Sequence, residues 1–250
     1  MKILLTNDDG IYADGLWALY KRFSVDNEVI VIAPDRERSA VGHAITLHAP
    51  LRAELVHING NGPFYSVSGT PVDCIKMGVL ELLQEEPDIV ISGINPGANV
   101  GVNVNYSGTV AAAKEASLYG IKAIAVSIQG PRCDFYDEVA EFVEKLVNRV
   151  SQNGLPKGTF LNVNFPNLPL SATTGVKICK QGTDFFEEYF KKRTDPRNRV
   201  YYWHGCDPEP TFENSDIDGQ ALCEKFISIT PIKCDMTDYD LMEDLKKWNL

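Results

Sequence analysis

The 250-residue chain is 44% hydrophobic and has a formal net charge of −10, a composition that supports a full globular core and disfavours gripping a long nucleic acid through its phosphates. No run approaches the roughly 20 apolar residues of a membrane helix and no basic, apolar, small-residue leader opens the chain, so no membrane partner and a cytoplasmic location are expected. The cysteines, Cys74, Cys133, Cys179, Cys206, Cys223 and Cys234, form no Cys-x-x-Cys pair and the histidines lack zinc-ligand spacing, which points to reduced thiols and away from zinc chemistry.

Ile3, Leu4 and Leu5 form an apolar run that ends in Asn7-Asp8-Asp9-Gly10, the pattern of a buried parallel strand opening into a turn. Leu16, Leu19, Tyr20 and Phe23 predict a helix over 15–23, and residues 28–33 a second buried strand that leaves through Pro34-Asp35-Arg36-Glu37-Arg38-Ser39. Alternating apolar residues over 44–58, interrupted at Pro50, predict two antiparallel strands, and 64–67 a short one. Thr70 and Pro71, an N-cap and a first helical residue, start a helix with the stripe Val72, Ile75, Val79, Leu82 and Leu83. Ile89-Val90-Ile91 is a buried strand followed by a Gly/Asn loop over 92–101, and Ser107-Gly108-Thr109 opens a helix over 110–119. A strand over 121–128, an amphipathic helix over 136–150 and a strand over 159–164 complete the alternation. Strands alternating with helices at these lengths predict a Rossmann-like α/β fold, a mostly parallel sheet with helices on both faces.

From about residue 170 the pattern changes. Strands over 176–180, 200–203 and 226–232 and a terminal helix marked by Leu241, Met242, Leu245 and Trp248 read as a hairpin and helix extension of one domain. Residues from about 176 to 250 are expected to pair with the core or with a partner chain. The basic cluster Lys191, Lys192, Arg193, Arg197 and Arg199 reads as hydrated surface.

In an open α/β sheet, ligands bind at the carboxyl ends of the strands. Asp8 and Asp9, Ser39 and Asn95 all leave such ends, giving carboxylate, hydroxyl and amide oxygens suited to one hard cation such as Mg²⁺ or Mn²⁺. Each has a plainer role as a turn or cap residue; their coincidence on one edge favours the metal. The Gly/Asn loop and the N-terminus at Ser107-Gly108-Thr109 offer backbone N–H groups to a phosphate beside that cation. Neither a Walker loop nor Gly-x-Gly-x-x-Gly occurs, so ATP or NAD as a dedicated cofactor has no support.

These blocks together resemble the SurE (survival protein E) family of metal-dependent nucleotidases. The resemblance runs through Asn7-Asp8-Asp9-Gly10, residues 33–39, Ser68-Gly69-Thr70-Pro71-Val72-Asp73-Cys74, Ser92-Gly93-Ile94-Asn95, residues 106–112 and Ser228-Ile229-Thr230-Pro231, in the family's order over nearly the whole chain. It implies hydrolysis of nucleoside 5′- and 3′-monophosphates, a divalent cation held by Asp8, Asp9, Ser39 and Asn95, a phosphate side at Asn99 and Ser107 to Thr109, and a homodimer or dimer of dimers. Two residues depart from the family's usual pattern: Ala40 stands where glycine is usual, and Pro96 follows Asn95. Water attack with Asp8 or Asp9 as the proton acceptor is the expected mechanism, ahead of an aspartyl-phosphate, and which of the two takes the proton is open. The rival is a receiver-type phosphorylation switch, which also pairs acids after its first strand. It needs a later Asp and Lys at strand ends and about half this length.

Overall fold

A computed structural model describes residues 1–183, 188–206 and 216–248. Its elements run β1 (Lys2–Thr6), α1 (Asp14–Phe23), β2 (Glu28–Pro34), β3 (Ala53–Ile58), β4 (Asn61–Val67), α2 (Pro71–Met77) and β5 (Ile89–Pro96). They continue through α3 (Gly108–Tyr119), β6 (Lys122–Ile128), α4 (Tyr136–Asn153), β7 (Thr159–Phe165), β8 (Gly175–Ile178), β9 (Glu188–Thr194), β10 (Val200–Cys206), α5 (Asp218–Cys223), β11 (Phe226–Lys233) and α6 (Tyr239–Leu245).

Successive residues of a strand face opposite sides, and the two cores divide accordingly. Ile3, Leu5, Ile89, Ile91, Ile124 and Val126 pack beneath Leu16, Leu19 and Phe23 of α1 and Val139, Val143 and Val147 of α4. Leu4, Val90, Ala123 and Ala125 pack beneath Ile75 of α2 and Val110, Ala112, Ala113 and Ala116 of α3. Small residues on both sides of the second contact let α3 lie close to the sheet. Each fully buried Leu or Ile adds about 1.5–3 kcal/mol of hydrophobic stabilisation.

The main sheet has the order β3-β4-β2-β1-β5-β6-β7-β11-β8, parallel from β4 through β7. The chain winds outward from β1 to one side, then returns to place β5 on its other side. The order therefore reverses at β1, and the crevice beyond the carboxyl ends of β1 and β5 is the ligand position of a doubly wound sheet.

One expectation is corrected. Only the second half of 44–58 is a strand: β3 pairs antiparallel with β4, while the first half is drawn onto the start of α2. Thr46 donates its N–H and hydroxyl to Asp73, and Thr70 Oγ1 donates to Ala44 O, so that backbone joins no ladder. Part of the tail pairs with the core, one of the two partners expected of it. β11 lies between β7 and β8 inside the main sheet, because its apolar residues Ile227 and Ile229 are needed in the first core. The basic stretch is surface as expected: β9, which crosses it, is exposed throughout and, among the described residues, pairs with β10. Pairing of that kind leaves little burial periodicity to read. The short α5 was also not anticipated.

Candidate active site

The turn after β1 is shaped by Asn7. Fully buried, its side chain accepts from Gly10 N at 3.2 Å and donates to Gly10 O at 3.0 Å, which leaves Asp8 and Asp9 at the apex. Asp8 is 5% exposed, and the Thr109 hydroxyl donates to its Oδ1. Asp9 Oδ2 is buried and has no hydrogen-bond partner. Burial raises both carboxyls: Asp8 against the pull of the Thr109 hydroxyl, and Asp9 up to about 7, with the charges of Asp8 and Glu37 adding to the effect. An orphaned buried carboxylate oxygen beside a second carboxylate is an arrangement that a cation relieves.

Asn95 ends β5. Its Nδ2 donates to Gly97 O at 2.7 Å, so the amide oxygen is the atom that can face a cation. A register shift in the β5–β6 pairing between Ser92 and Asn95 re-aims this end of the strand, and Asn95 is extended, as the following Pro96 requires. Ser39, on the loop after β2, is exposed and donates to Glu37 Oε1 at 2.6 Å. Ala40, next to it, has φ 54°, a left-handed conformation that glycine adopts without strain.

Asp8, Ser39, Asn95, Asn99 and Ser107 line one cavity of about 640 Å³. Gly108 and Thr109 do not line it. They stand behind Asp8: a Cβ at Gly108 would lie 2.8 Å from Asp8 Cβ, so the close approach of α3 to the acidic turn requires glycine there. Thr109, expected on the phosphate side, turns its hydroxyl to Asp8. Ser107 caps α3 by accepting from Val110 N at 3.1 Å. The loop at Asn99 is gripped from β6 and β7. Asn99 N donates to Asn164 Oδ1 at 2.7 Å, its carbonyl accepts from Asn162 and Asn164, and its Nδ2 donates to Ser127 at 2.9 Å. These supporting residues were missed. Their signal was visible as two asparagines, two apart, on one face of an otherwise apolar strand.

Arg38 is directed to Asp35 and to Ser68 O, not to the cavity, and Ser68-Gly69-Thr70 serves a capping box with Asp73. Among the described residues no group of three His, Cys, Asp or Glu side chains is placed to hold a metal. The donor set is two carboxylates with a hydroxyl and an amide oxygen, which suits a hard divalent cation.

The family model for survival protein SurE matches residues 3–188. The chain belongs to the SurE family. It is 55% identical over 251 residues to a 5′-nucleotidase SurE of Desulfatibacillum aliphaticivorans, covering 100% of this chain and 99% of that one. It is 48% identical to a 5′-nucleotidase SurE of Syntrophobacter fumaroxidans, with both chains fully covered. The crystal structure of the SurE protein from Aquifex aeolicus superposes with a TM-score of 0.86 at 36% identity, covering 98% of each chain. SurE membership over the full length leaves no place for the receiver-type switch, and β5 and β6 end in Asn95-Pro96 and Ser127-Ile128 rather than in the Asp and Lys such a switch needs.

Proposed function

We propose that this SurE protein is a divalent-metal-dependent phosphatase that hydrolyses nucleoside 5′-monophosphates, and 3′-monophosphates as well, to nucleoside and phosphate. The observation that carries the reading is the pair Asp8 and Asp9, buried and adjacent at the sheet's switch point, with an unpartnered Asp9 oxygen and with Asn95 and Ser39 on the same cavity as Asp8. Asp8, Asp9, Ser39 and Asn95 would hold one Mg²⁺ or Mn²⁺, which when bound supplies Lewis-acid polarisation of a phosphoryl oxygen and a more acidic water. Ser107, at the N-terminus of α3, and the loop at Asn99 hold the phosphate. The Thr109 hydroxyl orients Asp8 and opposes the rise that burial imposes on its carboxyl. Asp8 or Asp9 takes the proton of the attacking water. Phosphate release from 5′-AMP with and without EDTA, followed by a panel of monophosphates with each divalent cation, tests this. Full activity in EDTA would overturn the metal-dependent reading.

The chain is read as one domain that works as a cytoplasmic homodimer or dimer of dimers. No described helix is long and apolar enough to cross a membrane. Tyr189, Tyr201 and Trp203 share one exposed face of the β9–β10 hairpin, and Leu241, Leu245 and Trp248 form an exposed apolar stripe at α6. Exposed patches of that kind mark subunit contacts.

A further inference from the structure

The cavity reached by Asp8, Asn95 and Ser107 has a second wall, made by Tyr106 and by Glu188, His204 and Gly205 of the hairpin. Side chains alternate across paired strands, and the register Phe190 to His204 and Glu188 to Cys206 puts Glu188, Phe190 and His204 on one face. The His204 ring stacks on Phe190, with centroids 5.0 Å apart and 23° between the planes, while the His204 side chain stays 54% exposed. One face of the imidazole is thus backed by an aromatic ring and the other is open. At the neighbouring position a Cβ on Gly205 would lie 2.7 Å from the Tyr189 ring, so glycine lets Tyr189 pack across the strand from the opposite face.

Charge orients what binds between the two walls. Glu188 Oε2 lies 3.6 Å from His204 Nε2, and a carboxylate there disfavours a phosphate. The opposite wall carries the capped N-terminus of α3, which favours one. A phosphoester therefore lies with its phosphate toward Asn95 and Ser107 and its uncharged end on the hairpin. A planar base on an aromatic ring is the contact that end provides.

We infer that His204 is a specificity-determining residue of this site, on whose open face the base of a nucleoside monophosphate stacks. The inference rests on the nucleotidase reading above and extends it to the substrate's far end. The test compares 5′-AMP with ribose 5-phosphate, the same ester without a base, in turnover and in calorimetric binding, using full-length wild type, His204→Ala and His204→Phe. Wild type is expected to prefer 5′-AMP. His204→Ala should lower the 5′-AMP to ribose 5-phosphate ratio of kcat/KM about tenfold, through KM, and His204→Phe should restore it. An unchanged ratio in His204→Ala, a ratio as low in His204→Phe as in His204→Ala, or equal wild-type preference for both esters would overturn the stacking role while leaving the phosphatase reading intact. His204-dependent binding of 5′-AMP by a wild type that releases phosphate from neither ester would support the stacking role and overturn the phosphatase reading.

Discussion

Gly108→Ala probes the contact between α3 and the acidic turn. The added methyl would sit 2.8 Å from Asp8 Cβ, 3.0 Å from Asp8 Oδ2 and 3.2 Å from Pro71 Cγ, where ordinary contact begins at 3.4 Å. Roughly 0.6 Å must therefore open between α3 and Asp8, at an overpacking cost of about 1–3 kcal/mol. Alanine's better helix propensity offsets about 1 kcal/mol of this. The net loss is about 0–2 kcal/mol, or a few degrees of Tm for a chain of this size. Pro71 blocks retreat on one side and the alanine face of α3 is packed against β6, so the turn is the part that yields. Moving the Asp8 carboxylate by about 0.6 Å relative to Asn95 and Ser39 is expected to lower kcat on the order of 10- to 100-fold. The assay is steady-state turnover of 5′-AMP at saturating Mg²⁺ or Mn²⁺, with melting in EDTA measured in parallel. A kcat within threefold of wild type together with an unchanged Tm would refute the seating of α3 on Asp8.

Asp8→Asn and Asp9→Asn should each fold yet lose most activity, since each deletes a charge from the cation's donor set; near-normal turnover in both at saturating metal would sink the assignment. Asn95→Ala should weaken metal binding, read by calorimetry, more than it lowers Tm in EDTA, and an equal loss in metal-free protein would make Asn95 a structural turn residue. Glu115, buried on α3, accepts from Lys76 and contacts His43 on the loop that follows Ser39. The His43 contact, with help from Lys76, holds its carboxyl below the usual range of 4.5. Its stabilisation is thus present above about pH 4.5 and lost as pH falls through the lowered folded value. Glu115→Gln should therefore cost about 1–2 kcal/mol at pH 7, and its Tm gap to wild type should close in strongly acidic buffer; a gap that persists or widens there argues against the charged contact. A chain ending at Thr237 should sediment as monomer or aggregate, because it lacks the exposed stripe of α6, and a stable active dimer would remove α6 from the interface.

The alternation of short apolar runs with amphipathic stripes was enough to establish the α/β class and, apart from the first half of 44–58, the order of strands and helices through β7, because most of those elements are buried on one face or on both and burial is what periodicity records. The acidic turn, Ser39 and Asn95 were legible for a related reason: polar residues that abruptly end an apolar strand mark its carboxyl edge. What the sequence left open was pairing between distant segments. Whether β11 joined the sheet or left it depended on the free edge of β7, and whether Thr109 faced a phosphate or Asp8 depended on how closely α3 approached the turn, a distance fixed by the missing side chain of Gly108. The exposed hairpin was hardest to read, since strands held by their own backbone ladder need no apolar stripe. Only the tertiary structure brought Glu188 and His204, some 180 to 200 residues beyond Asp8 in the chain, to the wall of the same cavity.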